Sequence, residues 1–133
     1  MIFDIKSEQG YRIVFADRRF DPKNWLINYT VSLFSPGMEG TVRVYNPPFA
    51  HSPLALFKSM ETQWSGWRGE KSWGSLEGEF DLSAESDSTG HIVLRARIFA
   101  GHSPPSSRLD TEIIVEAGQL AFIAKQAEKF FVQ

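Results

Sequence analysis

The sequence predicts an α+β fold, in which an antiparallel, curved sheet of about seven strands carries two amphipathic helices on one face, in the order ββββ-α-βββ-α. Two kinds of apolar periodicity favour this class: a period of two in the strand segments and a period of three to four in the helical ones. The strand–helix–strand alternation that builds parallel sheets is not visible. A length of 133 residues is typical of one domain, so we expect a single domain over residues 1–133.

Four strands are predicted in the first part of the chain. The clearest covers residues 25–34, where apolar and polar side chains alternate as in a half-buried strand. Its predicted inward face consists of Trp25, Ile27, Tyr29, Val31 and Leu33. The other three strands are predicted over residues 2–6, 11–17 and 39–45, separated by segments rich in Gly, Pro and Asp.

Two helices are predicted from apolar stripes. The first follows Pro47 and Pro48, with Ser52 as N-cap and Pro53 at the first helical position. Its stripe consists of Leu54, Phe57, Met60 and Trp64. The second helix is predicted from about residue 119 to 131, with a stripe of Leu120, Ile123, Ala124, Ala127, Phe130 and Phe131.

A long hairpin is predicted between the helices. Its strands cover about residues 76–85 and 92–98, and residues 88–90 form the turn with Gly90 in the left-handed conformation. Leu76, Gly78, Phe80, Leu82 and Ala84 are expected to share the inward face of the first strand. Pairing of Asp87 with His91 would place Asp81 opposite Arg97 and Ser83 opposite Arg95. A proline-containing connector and a last strand over residues 109–116 follow.

Composition excludes several classes of protein. The chain contains no cysteine, which excludes disulfides, thiolate metal sites and a cysteine nucleophile. The formal net charge of −2 gives no general attraction to nucleic acid or to anionic membranes. The first residues lack the pattern of a signal peptide, and no apolar stretch is long enough to span a membrane. We therefore expect a cytoplasmic protein with neither nucleic acid nor membrane as partner.

Trp67, Trp73, Asp87 and the segments 75–82, 90–94 and 115–120 form a recognisable pattern in the second half of the chain. By this pattern the chain resembles an uncharacterised bacterial family of small proteins, which is in turn similar to the WapI-type immunity proteins of contact-dependent toxin systems. The resemblance implies a non-enzymatic bacterial protein that binds and neutralises a partner toxin. A monomer or homodimer without cofactor is expected.

The candidate binding residues fall into two groups. The first group lies in a tryptophan-rich loop after the first helix, which also carries Glu70 and Lys71. Trp and Arg are enriched at energetically important positions of protein interfaces. The second group is a charged stripe on the hairpin, where alternating carboxylates, Glu85 among them, lie near two arginines. The predicted binding residues are Trp64, Trp67, Arg68, Trp73, Glu77, Glu79, Asp81, Arg95 and Arg97. Trp64 and Trp73 are alternatively interpreted as covers of the core edge, and the stripe as an ordinary solvated strand face.

Two other functions compete with protein binding. The tryptophan loop would also suit a small-molecule or carbohydrate-binding domain, since aromatic rings stack on sugars. The paired carboxylates of the stripe would suit an acid–base hydrolase if they lay in a cleft, but we predict no catalytic residues. His51, His91 and His102 lack the spacing of a helical zinc site, so no metal is predicted, and His91 is expected to hydrogen-bond the hairpin turn.

Overall fold

The computed structural model describes residues 1–48, 50–87 and 89–132, and in them two antiparallel four-stranded sheets are combined with two α-helices. In each sheet the spatial order of the strands follows the chain. The first sheet consists of β1 (Phe3–Lys6), β2 (Arg12–Phe20), β3 (Leu26–Ser35) and β4 (Met38–Tyr45), and is followed by α1 (Leu54–Thr62). The second consists of β5 (Glu70–Gly74), β6 (Phe80–Ser86), β7 (His91–Ala100) and β8 (Ser107–Glu116), and is followed by α2 (Leu120–Phe131).

The α+β class is confirmed, but the expectation of one curved sheet of seven strands is wrong in detail. Eight strands form two separate sheets, and the missed strand is β5, inside the predicted tryptophan loop. Strand β5 has only five residues, and one of its two inward positions is Lys71, whose ammonium group binds Ser59 Oγ at 2.7 Å. Because a charged lysine occupies an inward position, β5 does not show the alternation of apolar and polar residues that identifies a strand in a sequence. The correct order is therefore ββββ-α-ββββ-α.

Both sheets and both helices contribute to one cluster of buried apolar side chains. Its centre is aromatic, and Phe15 of β2 lies within stacking or edge-to-face distance of six other rings. One of these contacts, between Phe15 and Phe80 at 5.8 Å, joins the two sheets directly. The other rings around Phe15 are those of Phe3, Tyr29, Phe57, Phe130 and Phe131.

The pairing of β2 with β3 contains two compensating irregularities. Between Ala16 and Arg19, β2 has one residue more than β3, and between Leu26 and Asn28 the extra residue is in β3. Asp17, at the first irregularity, has a positive φ of 51°. Each extra residue reverses the inward–outward alternation of its strand.

The extra residue in β3 overturns the predicted start of that strand. Tyr29, Val31 and Leu33 are buried as expected, but the next buried residue is Leu26. Trp25 and Ile27, predicted to point inward, are exposed. A strict period of two could not reveal this, because the sequence contains apolar residues at three consecutive positions there.

The bulge in β2 also brings Arg18 to the end of α2. Its Nη1 donates hydrogen bonds to the carbonyl oxygens of Lys129 and Phe130, at 2.6 and 2.8 Å. These carbonyls lie in the last turn of α2, where no intrahelical N–H is available for them. The guanidinium group also lies over the rings of Phe20 and Phe130. Arg18 thus connects the first sheet to the C-terminal helix.

Arg18→Met is expected to lower the free energy of unfolding by about 1 kcal/mol, because it removes a charged donor from the negative end of α2. Urea unfolding followed by circular dichroism measures the change. Arg19→Met is the matched control. The Arg19 side chain is exposed, and its ion pair with Asp17, at 3.8 Å on the surface, should contribute little to stability. Equal effects of the two substitutions would contradict the role of Arg18 at the helix end.

The hairpin register is confirmed. Asp81 pairs with Arg97 and Ser83 with Arg95, and Phe80, Leu82 and Ala84 are buried. The inward positions predicted for Leu76 and Gly78 are wrong, because β6 begins only at Phe80. Residues 75–79 form a turn in which Gly78 has φ 78° and donates its N–H to the Ser75 carbonyl oxygen.

The turn between β6 and β7 is organised by the side chain of Asp87. Its Oδ1 accepts hydrogen bonds from the N–H groups of His91 and Thr89 and from the Thr89 hydroxyl. These donors lower the pKa of Asp87 to about 2. His91 contacts the Thr89 hydroxyl through Nδ1, as expected, and Gly90 has φ 84°, while Ser88 lies outside the described residues.

Asp87 is expected to contribute to acid unfolding. A carboxylate whose pKa is lower in the folded than in the unfolded chain stabilises the fold above the unfolded value of about 4, and this stabilisation is lost as the pH falls through 2. Asp87→Asn keeps an acceptor oxygen but does not titrate. The decrease in Tm between pH 5 and pH 2 should therefore be smaller in Asp87→Asn than in the unsubstituted protein, as measured by thermal denaturation. An identical decrease would contradict this assignment.

Candidate functional site

The side chains of the second sheet that point away from the core form a continuous polar surface, which we call the charged face. It spans all four strands, because each strand contributes alternate residues between its buried ones. It consists of Glu70 and Ser72 from β5, Asp81, Ser83 and Glu85 from β6, His91, Val93, Arg95, Arg97 and Phe99 from β7, and Arg108, Asp110, Glu112, Ile114 and Glu116 from β8.

Ion pairs engage two arginines of the charged face, Arg95 and Arg97. Arg97 Nε and Nη2 donate to the two carboxylate oxygens of Asp81 at 2.8 and 2.9 Å, a bidentate arrangement. Asp81 and, to a smaller extent, Asp110 raise the pKa of Arg97. Arg95 Nε donates to Glu112 at 3.3 Å. The bidentate pair orients the Arg97 guanidinium group, while Arg95 makes a single contact at the surface.

Acidic side chains outnumber basic ones on the charged face, and two of the carboxylates face each other. Glu70 of β5 and Glu85 of β6 are direct cross-strand partners, and both are exposed. Like charges at opposite positions of an antiparallel pair destabilise a sheet. Arg97 interacts electrostatically with Glu70 and offsets part of this cost, and a cation from outside would offset more of it.

A shallow depression of about 560 Å³ lies on the charged face, and Glu70, Arg95 and Arg97 are among the residues that line it. Its rim includes the predicted residues Asp81, Arg95, Arg97 and Trp73. The side chain of Trp73 itself is on the opposite face, because Trp73 pairs with the buried Leu82. The depression is open, and its carboxylates are not arranged in a cleft like those of a paired-carboxylate hydrolase.

The predicted tryptophan loop is largely structural in this fold. Trp67 donates its indole N–H to the Ala84 carbonyl oxygen at 3.2 Å, and the Lys71 ammonium lies over its ring. Trp73 donates to the His51 carbonyl oxygen at 2.8 Å and packs edge-to-face on Phe80. Trp73 therefore covers the core edge, and two of the three indole groups are engaged within the fold.

Trp64 and Arg68 are exposed, and neither belongs to the charged face. The prediction that Trp64 continues the apolar stripe of the first helix is wrong, because α1 ends at Thr62 and Trp64 remains 64% exposed. Only Trp64 therefore presents a largely exposed indole in this segment. The arrangement gives less support to stacking on a sugar than the sequence did.

Glu77 and Glu79 do not belong to the predicted stripe, because they lie in the turn before β6. Glu77 is exposed there. Glu79 Oε2 accepts the N–H of Tyr45 at 2.9 Å, and its Oε1 accepts the hydroxyl of Ser75 at 2.8 Å. Glu79 thus ties the second sheet to the end of β4. Its role in the structure is a bridge between sheets.

Several residues of the charged face were missed by sequence reasoning. Glu70 was assigned to the tryptophan loop, but it and the unpredicted Ser72 belong to the unrecognised strand β5. Asp110, Glu112 and Ile114 belong to a strand whose position was predicted without a binding role. The alternation of Asp110, Glu112, Ile114 and Glu116 with buried residues was the available signal. The pairing of β8 with β7 is what places these residues beside Arg95 and Arg97.

The described residues contain no cluster of three or more His, Asp or Glu side chains that could hold a metal ion. Neither of the two helices is long and apolar enough to cross a membrane.

Fold and surface define a class: a two-sheet α+β protein whose most distinctive surface is an open, charged sheet face. The chain belongs to the Family of unknown function (DUF6228), whose sequence pattern matches residues 4–133. No curated protein and no solved structure matches the chain.

Proposed function

We propose that this protein is a non-enzymatic protein-binding module of the toxin-immunity type, and that it binds its partner through the charged face. The observation that carries the proposal is the exposed cross-strand pair of Glu70 and Glu85. Two like charges at opposite positions reduce stability, and a basic partner surface would remove this cost on binding.

The rest of the charged face supports protein binding in two further ways. Strand pairing and the bidentate ion pair of Arg97 hold part of this surface in place, so less conformational entropy is lost on association. Ile114 is 57% exposed among these charges and offers an apolar contact point. Apolar contacts surrounded by polar groups are typical of specific protein interfaces.

The toxin-immunity type is inferred from the resemblance to WapI-type immunity proteins together with this surface. An acidic excess increases the association rate with a basic partner and disfavours acidic ones. A non-enzymatic role is supported by the engagement of Asp81, Glu79 and Glu112 in ion pairs or hydrogen bonds on an open surface. A bacterial, cytoplasmic setting belongs to the same proposal.

Glu85→Lys tests the charged face. It converts the like-charged pair with Glu70 into an opposite-charged pair, so the free energy of unfolding should stay the same or rise by less than about 1 kcal/mol. Binding to a basic partner should weaken at least about tenfold, because the substitution reverses a contact charge. Capture from the native host identifies the partner, and calorimetry with the purified proteins measures the affinity.

Glu61→Lys is the matched control, since Glu61 is an exposed carboxylate on α1, away from the charged face. It makes the same change in net charge and should leave the affinity unchanged. If both variants weakened the affinity equally, the loss would be due to the change in net charge, and the proposed surface would be contradicted. Immunity itself is tested by co-expression with the captured partner, where rescue of growth by the unsubstituted chain and not by Glu85→Lys is expected.

A further inference from the structure

Strand β8 is the last strand of the second sheet, and within the described residues no other strand pairs with its outer edge. Near Asp110–Glu112 this edge is approached by the β3–β4 turn at Ser35–Met38. From Glu112 to Glu116 it borders an open groove of about 590 Å³, which also extends over His91 and Val93 on the outer face of β7. The opposite wall of the groove is the β1–β2 turn, with residues 6–9 and Tyr11. One half of the edge is therefore accessible along a defined channel.

We infer that this groove takes an extended, basic segment of the protein partner, which adds to the second sheet as a further strand beside β8. The inference rests on the proposed function and specifies how the partner binds. An unpaired strand edge offers N–H and C=O groups to a second chain, and this main-chain pairing supplies affinity while alternate side chains supply specificity. Five residues of β8, from Glu112 to Glu116, span about 14 Å, enough for a short strand.

The side chains beside the groove specify the chemistry of the added strand. On the outward side of β8 they follow the order Glu112, Ile114, Glu116, and Glu8 adds a further exposed carboxylate from the opposite wall. Lys6, also in that wall, lies 3.7 Å from Asp4. A paired strand places its side chains directly opposite those of β8. The matching segment therefore has a basic, an apolar and a basic residue at alternate positions.

Some of this acidic charge is already compensated within the protein. Arg95 binds Glu112 at 3.3 Å and compensates its charge. Glu116 lies 3.4 Å from His91 Nε2, and its N–H donates to Gln119 Oε1 at 2.7 Å. The contacts of Arg95 and His91 both come from β7, on the side of β8 opposite its free edge, and both carboxylates remain exposed. Because a carboxylate has about four acceptor positions, each one retains capacity for a lysine or arginine of the added strand.

The same charges disfavour a second copy of this chain as the occupant. Antiparallel pairing of two β8 edges about Ile114 would place Glu112 of each copy opposite Glu116 of the other. Such like-charged pairs are unfavourable, and edge charges of this kind are a common protection against self-association. The partner chemistry that remains favourable is an extended segment of opposite charge.

A capped pentapeptide of the pattern lysine–threonine–valine–threonine–lysine is the probe, titrated into the ¹⁵N-labelled full chain and followed by NMR. Chemical-shift changes are expected at Glu112–Glu116 and in the β1–β2 turn, with slower hydrogen exchange of the β8 amides that point into the groove. Two control peptides are used. One has glutamate in place of both lysines, and the other has N-methyl groups on its backbone amides. Both should bind at least tenfold more weakly. Absence of shifts in β8, or equal binding of either control peptide, would overturn the inference.

Protein variants separate this inference from the proposed function. Glu112→Gln with Glu116→Gln should weaken the pentapeptide at least about fivefold, since two ion pairs are lost while the acceptor oxygens remain. Glu77→Gln, an exposed site outside the groove, should not change its affinity. If the captured partner is weakened by Glu85→Lys but not by the double glutamine variant, the groove is not its binding site, and the charged face still stands.

Discussion

Phe15→Ala is expected to lower the free energy of unfolding by about 3–5 kcal/mol, the range typical of a large aromatic side chain lost from a core. The Phe15 ring is fully buried and contacts rings from both sheets and both helices, so its loss leaves a cavity that no single element can fill. Such a change is a large part of the total stability of a domain of this size. Chemical denaturation followed by tryptophan fluorescence measures it.

Phe122→Ala provides the matched comparison. Phe122 lies on α2, but its side chain is 65% exposed, so the same chemical change should alter stability by less than about 0.5 kcal/mol. A similar loss in the two variants would show that Phe15 does not hold the sheets and helices together.

Tyr29→Phe is expected to stabilise the protein by about 1–3 kcal/mol. The Tyr29 ring packs against aromatic rings, and its buried hydroxyl finds no hydrogen-bond partner among the described residues. Burial raises the pKa of this phenol, with a smaller contribution from the negative charge of Glu79. Removing the hydroxyl ends the cost of its desolvation and keeps the ring contacts.

Differential scanning calorimetry of Tyr29→Phe provides the measurement, with Tyr45→Phe as the control, since the Tyr45 side chain is exposed. A higher Tm is expected for Tyr29→Phe and an unchanged one for Tyr45→Phe. A lower Tm for Tyr29→Phe would show that the hydroxyl makes a stabilising hydrogen bond, for example to a buried water molecule, and would contradict the expectation.

The fold class and the hairpin register could be predicted from the sequence because local patterns determine them. Alternation in β6 and β7 and a turn closed by Asp87 and Gly90 leave one register that buries the apolar residues. Division into two sheets could not be predicted in the same way. The break lies between β4 and β5, which do not pair, and alternation within single strands does not specify which strands pair with one another. Strand β5 itself was missed because its inward lysine is accommodated by Ser59 and Trp67, contacts that exist only after α1 has packed beside it.

Part of the candidate surface could also be predicted, because the register within one hairpin is determined locally. Asp81, Arg95 and Arg97 were placed together because they belong to one hairpin. Trp67 and Trp73 were chosen for their composition, but their indole groups bind carbonyl oxygens of the fold itself. The pair of Glu70 and Glu85 joins residues from two strands, one of which was not recognised, so its like charges became visible only in the structure.

The paired irregularities of β2 and β3 restrict how this family can change in length. The registers before and after them agree, since Ala16 pairs with Thr30 and Phe20 with Leu26, only because each strand contains one extra residue. Deleting a residue from one strand alone would shift every later pair and turn Leu26 or Phe20 outward. We therefore expect insertions and deletions at these two places to be coupled in the family.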